Sequence, residues 1–200
     1  MNRPDPTLEA TEVRRPEPEQ LAVGCLETSS IARGLEAADA MLKAAEVRLL
    51  ACNPVCPGKY VVLVGGLVAE VTAAVRAGET TAADTLTDAT VIPNIHRQVF
   101  DAFSATSSFE NVAALGMIET FSIPSAIVAG DQAAKSAKVD LLEIRLARAL
   151  GGKAFVLLTG EVAAVRAALE AGTKAGAQNG LLLGTALIPA PHPDLVQKLL

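Results

Sequence analysis

The chain has 200 residues, half of them apolar, which is enough to fill the core of one domain or of two small ones and excludes a disordered chain. Its formal net charge is -5, with 17 Lys and Arg against 22 Asp and Glu, and no block of basic residues stands out. An acidic surface of this kind repels phosphate, so we expect no nucleic-acid partner.

The first 20 residues, MNRPDPTLEATEVRRPEPEQ, are rich in Pro and Glu. Such a composition buries too little apolar surface to fold, and we expect a disordered or polyproline-like arm over residues 1–20. The arm lacks the apolar segment of a signal peptide, and no later apolar run approaches the roughly 20 residues that span a bilayer. We therefore expect a cytoplasmic protein without a membrane partner.

The rest of the chain is one unit repeated twice. The stretch AVGCLETSSIARGLEAADAMLKAAEVRLL from Ala22 is answered by ALGMIETFSIPSAIVAGDQAAKSAKVDLL from Ala114. The match continues as PGKYVVLV against GGKAFVLL, and as VIPNIH against LIPAPH. These ordered matches predict two copies of one domain, residues 21–108 and 113–200, joined by the polar stretch 104–111.

The first half of each copy predicts a strand followed by a helix. Residues 21–27 alternate in the manner of a strand, and apolar residues at helical spacing run from Ile31 to Ala45. Ser29 or Ser30 could cap the helix, because a serine hydroxyl can accept from the free N–H groups of the first turn.

The second half predicts a hairpin, a second helix and a last strand. An apolar run over residues 47–52, a Pro/Gly turn and a β-branched run over 60–64 indicate the hairpin. A valine stripe that starts at Val68 predicts a helix ending at Gly78, and residues 90–93 predict the closing strand. Strand, helix, hairpin, helix, strand is the ferredoxin-like plan: an α+β fold, an antiparallel sheet with helices on one face, built twice in this chain.

Three repeated motifs resemble those of the tandem-domain shell proteins of bacterial microcompartments. They are the E-T-x-S-I start, the A-x-D-x-x-x-K helix and the G-K hairpin turn, and they recur in order in both copies. The resemblance implies a flat homotrimer, a pseudo-hexamer of six domains with a central pore. It also implies that the trimer tiles with other shell proteins around metabolic enzymes, which are further candidate partners, in a shell within the cytoplasm.

The C-P-G-K turn, Cys56 to Lys59, is most similar to the T-type shell proteins of propanediol-utilising microcompartments. In such relatives the turn cysteine points into the central opening, where three copies bind one iron-sulfur cluster. The resemblance therefore implies that Cys56 is the cofactor and metal ligand of one 4Fe-4S cluster per trimer, for electron transfer or cluster delivery across the shell. The residues that it places around the pore are Pro54, Val55, Pro57, Gly58, Leu150, Gly151 and Gly152.

The cysteine count limits how such a cluster could be held. A 4Fe-4S cluster usually takes four thiolates, and the chain has three cysteines, so one chain cannot supply a full set. Three copies of Cys56 would hold three irons and leave the fourth to water or a small molecule. Cys52, spaced C-x3-C from Cys56, either assists or packs as a small apolar residue. Cys25 aligns with Met117 in a predicted strand, and we expect it in the core.

Other polar residues of the repeat do not suggest catalysis. His96 and His192 occupy equivalent places after I-P, and we interpret them as duplicated surface or edge features. Glu27 and Glu119 are likewise equivalents and are expected to hydrogen-bond nearby backbone as lone carboxylates. Without a nucleophile and base, a carboxylate pair or a single-chain metal set, we expect no catalytic residues and no enzyme.

The predicted edge of the tile carries one lysine per copy. Lys43 and Lys135 fall at the helix lysine that, by the resemblance, packs against a neighbouring oligomer; the alternative is a solvated helix lysine. The arginine that many relatives carry after the closing I-P is replaced by Asn94 and Ala190. We therefore expect the pure protein to form sheets poorly and to tile beside a different shell protein.

Two other functions fit the same sequence. One is a shell pore for small polar metabolites, in which Cys56 is a bare thiol and Lys59 and Lys153 attract anions. The other is a small-molecule-sensing trimer on the same fold, without a shell. Iron content separates the first from the cluster hypothesis, and co-assembly with other shell proteins separates the second.

Overall fold

The computed structural model describes residues 22–103, 112–146, 151–179 and 181–199. Within these ranges both copies follow the predicted order of strand, helix, hairpin, helix and strand, and each adds a short final helix that the sequence analysis did not predict. The predicted arm and the predicted join between the copies lie outside the described residues.

In its described residues each domain has four strands and three α-helices, and the first domain also has a 3-10 turn, Ala83–Thr85. The first domain contains β1 (Ala22–Thr28), α1 (Ile31–Ala44), β2 (Arg48–Val55), β3 (Lys59–Gly66), α2 (Val68–Ala82), β4 (Leu86–Pro93) and α3 (Gln98–Phe103). The second contains β5 (Ala114–Thr120), α4 (Ile123–Ser136), β6 (Asp140–Leu146), β7 (Ala154–Gly160), α5 (Val162–Gly176), β8 (Leu182–Pro189) and α6 (Pro193–Leu199).

Both sheets are antiparallel and share one strand order, β2-β3-β1-β4 in the first domain and β6-β7-β5-β8 in the second. The registers agree as well, since Cys25 lies opposite Leu63 and its repeat equivalent Met117 lies opposite Leu157. The prediction of two tandem ferredoxin-like domains is confirmed.

Ser30 rather than Ser29 caps α1. The Ser30 side chain accepts from the backbone N–H of Arg33 at 3.3 Å, whereas the Ser29 hydroxyl donates to the carbonyl of Thr85 at 3.2 Å. Ser122 caps α4 in the same way, as expected of a hydroxyl at this position.

Gly78 does not end the second helix, so that prediction is wrong. Helix α2 continues to Ala82, and Gly78 is buried within it. A Cβ at position 78 would lie 2.7 Å from Met41 Cγ and 2.9 Å from Leu26 Cδ1. The glycine is needed there because α2 approaches α1 and β1 closely, and not because the chain turns.

Among the described residues two large apolar clusters and one small one, Leu115 with Leu142 and Leu157, form the core. The two large clusters are as follows. One lies inside the first domain and includes Leu26, Met41 and Val71. The other runs without a break from the opposite side of the first sheet into the second domain, and joins Cys25 and Phe100 to residues of that domain such as Ile123 and Ile127. Cys25 is fully buried, which confirms its predicted core position.

Candidate functional site

The first hairpin turn exposes its cysteine. The turn is closed by Gly58 N, which donates to the carbonyl of Val55 at 3.0 Å, and Gly58 has a φ of +92° that side chains rarely adopt. Pro54, Cys56, Pro57 and Gly58 are exposed, and Val55 is half-buried. Cys56 thus presents its thiol at a loop tip, as predicted from the sequence.

The second hairpin turn lies against the first. Gly151 and Gly152 have φ values of +60° and +88°, and a Cβ on Gly152 would lie 2.9 Å from Pro57 Cδ. Gly151 is exposed and Gly152 is buried by this contact. Leu150 lies outside the described residues. The structure therefore brings together the described residues that were assigned to the pore from both copies.

Lys59, which follows the first turn, forms a buried ion pair and also hydrogen-bonds to the second turn. Lys59 Nζ lies 2.6 Å from Glu27 Oε1, and it donates to the carbonyls of Phe121 at 2.9 Å and Gly152 at 3.3 Å. The Lys59 side chain is 17% exposed and that of Glu27 is 0% exposed. Lys59 therefore serves the contact between the domains, which leaves its charge neutralised rather than facing a pore.

Glu27 is not the lone carboxylate that the sequence predicts. Its Oε2 accepts from the backbone N–H of Ile123, the first residue of α4, at 2.6 Å, so its backbone partner belongs to the other domain. Burial raises the pKa of Glu27, and the hydrogen bonds from Lys59 and from the Ile123 N–H oppose that rise. Its repeat equivalent Glu119 pairs with Lys153 at 3.0 Å, with side chains 39% and 44% exposed.

Asp88 is a second buried acid in the domain contact, and the sequence analysis missed it. Its Oδ2 accepts from the hydroxyls of Ser122 and, at 2.9 Å, Ser125, and its Oδ1 accepts from Asn179 Nδ2 at 2.7 Å. These bonds satisfy the buried carboxylate from the second domain. The only signal in the sequence is an acid inside the apolar strand LTDATVIP, where the second copy has Gly184.

The two helix lysines have different environments. Lys43 is 74% exposed and pairs with Asp39, which agrees with either an edge or a solvated position. Lys135 is 29% exposed, pairs with the buried Asp131 at 2.6 Å and donates to the carbonyl of Pro93 at 3.4 Å. The shell-edge role of both lysines stays a prediction.

The two I-P-x-x-H histidines also differ. The backbone N–H of His96 donates to Asp131 Oδ1 at 2.7 Å, and His96 is half-buried in the domain contact, whereas the His192 side chain is 74% exposed. The two equivalent positions therefore differ in exposure, because the second domain covers His96 and His192 is left uncovered; their role as duplicated surface or edge features stays a prediction.

Cys52 lies beside a tyrosine. Its Sγ is 3.2 Å from the Tyr60 hydroxyl, and burial together with this contact raises the pKa of Tyr60 to about 12. Burial, with the nearby Glu27 and Asp88 charges, raises the pKa of Cys25. Among the described residues no group of three or more His, Cys, Asp or Glu is placed to hold a metal ion.

The surfaces that meet within the chain have uncovered counterparts. Helix α3 buries three of its residues against the second domain, but its counterpart α6 has none buried among its seven residues. At the start of α4 Ile123 is fully buried, whereas Ile31 at the start of α1 is 47% exposed. Each chain thus carries one contact between its domains and leaves the repeat-equivalent surfaces of α1 and α6 uncovered.

Comparison with known proteins identifies the family. Residues 22–95 and 114–191 each match the BMC domain family. The chain belongs to this family and carries two of its domains. It is 39% identical over 178 residues to the bacterial microcompartment shell protein PduT of Citrobacter freundii, a match that covers 89% of this chain and 97% of the relative. It is 32% identical over 190 residues to the carboxysome assembly protein CcmO of Synechococcus elongatus, covering 89% and 68%.

Solved structures agree with this assignment. A crystal structure of a microcompartment protein from Desulfitobacterium hafniense DCB aligns with a TM-score of 0.77 at 52% identity, covering 88% of this chain and 98% of that one. A fused permuted hexameric shell protein, MSM0275 from the RMM microcompartment, shares the fold with a TM-score of 0.61 at 23% identity, covering 84% and 86%.

These matches confirm the resemblance to tandem-domain shell proteins. The chain is a tandem-domain shell protein of the bacterial microcompartment type, and the expectation that it is not an enzyme is confirmed by the structural role of its relatives. No helix in the described part of the chain is long and apolar enough to cross a membrane.

Proposed function

We propose that this shell subunit forms a closed homotrimer in which six domains surround a central opening, and that Cys56 from each copy binds one 4Fe-4S cluster there. The observation that carries the proposal is the contact between the two turns, in which Pro57 meets Gly152 and Lys59 donates to the Gly152 carbonyl. Six hairpin turns, one from each domain, would surround the opening of the trimer. Two of these six already lie side by side within one chain.

The uncovered surfaces support closure of the ring. If the second domain meets the next chain as the first meets the second, β8 and α6 cover the α1 face of the neighbour. Glu119 then accepts from the Ile31 N–H of the neighbour, as Glu27 accepts from Ile123. A heterologous contact of this kind either closes into a ring or grows as a filament, and two domains per chain close a six-domain ring at three chains.

The turn suits a shared metal cluster. Cys56 is exposed at the tip, and thiolate is the form that binds iron. Among the described residues, its chain neighbours Pro57 and Lys59 apart, none has an atom within 4 Å of the position that a Gly58 Cβ would take, so these residues leave open space at the first turn. Three Cys56 thiolates would hold three of the four irons. When bound, the cluster would supply electron transfer across the shell, or would be delivered through it.

The other partners follow from the family. PduT is a microcompartment shell protein, and we propose that the trimer likewise takes its place in such a shell beside other shell proteins. The exposed Lys43 is the candidate for the lateral contact. Enclosed enzymes are further candidate partners on one face of the tile.

The proposal is tested by iron and acid-labile sulfide per trimer after anaerobic purification or reconstitution. The parent protein is expected to hold one cluster per trimer, and Cys56→Ser is expected to remain trimeric with none. Cys52→Ser serves as the matched control, since Cys52 lies in the same strand and turn region with its Sγ against Tyr60. A Cys52→Ser trimer that also lost the cluster would make Cys52 a ligand.

A trimer without iron under anaerobic conditions would overturn the cluster and leave a pore for small polar metabolites with a bare thiol at its mouth. A trimer that fails to co-assemble with other shell proteins would favour the sensing function instead. Both results are read on the same purified trimer.

A further inference from the structure

Gln98, the first residue of helix α3, hydrogen-bonds to the edge of the second sheet. Gln98 Nε2 donates to Asp140 Oδ1 at 3.0 Å, and Gln98 Oε1 accepts from the backbone N–H of Leu141 at 3.4 Å. Asp140 is the first residue of β6, the outer strand of that sheet. The contact thus joins the end of the first domain to the far edge of the second.

The repeat places a different pair of residues at the same two positions. Asp194 stands where Gln98 stands, two residues after the I-P-x-x-H histidine of its copy. Arg48 stands where Asp140 stands, as the first residue of an edge strand, and the two hairpins align in the same register. The contact within the chain pairs the amide of Gln98 with the carboxylate of Asp140, whereas the equivalent positions carry the carboxylate of Asp194 and the guanidinium of Arg48.

The donors and acceptors remain matched after this exchange. A glutamine can donate and accept, whereas a carboxylate only accepts and a guanidinium only donates. Asp194 could therefore accept from Arg48 and from the backbone N–H of Leu49, where Gln98 donates to Asp140 and accepts from Leu141. An aspartate at the helix position facing an aspartate at the strand position would instead set two carboxylates, which only accept, against each other.

We propose that each copy is joined to the next by an ion pair between Asp194 and Arg48 of the neighbouring copy. This inference rests on the ring closure put forward under Proposed function. The Asp194 side chain is 87% exposed in the single chain, where it lies 3.6 Å from His192 Nδ1, so it is accessible to a partner. The contact between chains thus differs from the contact within the chain in depending on opposite charges, and it weakens as salt screens them.

The test is a charge exchange in the full chain. Asp194→Arg and Arg48→Asp are made singly and together, and the concentration at which half the chains are trimeric is measured by sedimentation at low and high salt. Each single variant sets like charges against each other at all three contacts of the ring and is expected to raise that concentration about ten-fold or more. The double variant restores opposite charges and is expected to return close to the parent value.

The matched control is Glu170→Arg, a charge reversal of the same size on the exposed face of α5, which packs on its own domain. It is expected to leave assembly unchanged. Circular dichroism confirms that each variant is folded. Single variants that assemble like the parent, or a double variant no better than the singles, would overturn the ion pair while the trimer stands. A parent chain that never assembles would overturn the trimer itself.

Discussion

Helices α1 and α4 occupy the same place in two copies of one domain, yet four residues of α1 are buried and nine of α4. The extra buried residues of α4 are those that face the first domain, such as Ile123 and Ser125, against Glu27 and Asp88. The difference shows that the local sequence pattern determines the domain, whereas its neighbour determines which of its faces become core. In the proposed trimer the uncovered face of α1 is the surface that the next chain covers.

The largest expected effect on stability comes from replacing Glu27, and its repeat equivalent Glu119 serves as the comparison. Glu27→Ala leaves Lys59 with a largely buried, uncompensated charge, and we expect the free energy of unfolding to fall by about 3 to 5 kcal/mol. Glu119→Ala breaks a half-exposed pair and should cost under about 1 kcal/mol in the dissociated chain. Urea denaturation at low protein concentration measures both. Equal losses of unfolding free energy in the two variants would mean that the buried Glu27–Lys59 pair contributes no more than the half-exposed Glu119–Lys153 pair.

The two turn glycines give the next comparison. Gly58→Ala and Gly152→Ala both force an alanine into a positive φ, at about 1 to 2 kcal/mol each. Gly152→Ala also drives its Cβ against Pro57, which should add about 1 to 3 kcal/mol of unfolding free energy. Thermal denaturation of both variants isolates the contact between the turns. An equal loss of stability in the two would show that the turns do not touch.

The pH dependence of stability tests whether burial raises the pKa of Glu27. Because burial raises its pKa above the ordinary value of 4.5, the folded chain holds the Glu27 proton more tightly than the unfolded chain does. The stability of the parent relative to Glu27→Gln should therefore increase as the pH falls from neutral towards 4.5. Denaturation of both proteins across that range measures the difference. A relative stability that decreases on acidification would mean that Lys59 outweighs burial and lowers the pKa.

The smallest effect concerns Tyr60, the single tyrosine of the chain, whose repeat equivalent is Ala154. Cys52→Ala removes the thiol contact, so the pKa of Tyr60 should fall from about 12 towards 10 without reaching it, because burial remains. Near-UV absorbance follows this one residue during an alkaline titration. An unchanged midpoint would show that burial alone accounts for the raised pKa.

The repeat in the sequence predicted two domains and the order of their main strands and helices along the chain, because apolar periodicity and matched motifs are local signals. Helices α3 and α6 were missed, since six or seven residues are too few to show a helical period. The prediction that α2 ends at Gly78 was wrong because the glycine is needed for the close approach of α1. That approach is a tertiary contact, which the local sequence pattern of α2 does not contain.

The candidate site divides in the same way. Cys56 and the two glycine turns could be predicted from their motif, since a Pro/Gly turn before a strand exposes its tip. Asp88 could not, because its partners lie 34 to 91 residues away in the second domain. Nor could the contrast between Lys43 and Lys135, because the two copies share the A-x-D-x-x-x-K motif and differ in what covers it.

The central claim is that the contact between the two domains of a chain is repeated between chains until the ring closes. Native mass spectrometry of the pure, full-length chain tests it most directly. The expected result is a dominant species of three times the 20.6 kDa chain mass. A protein that stays monomeric at micromolar concentration, or that closes at another number of chains, would contradict it.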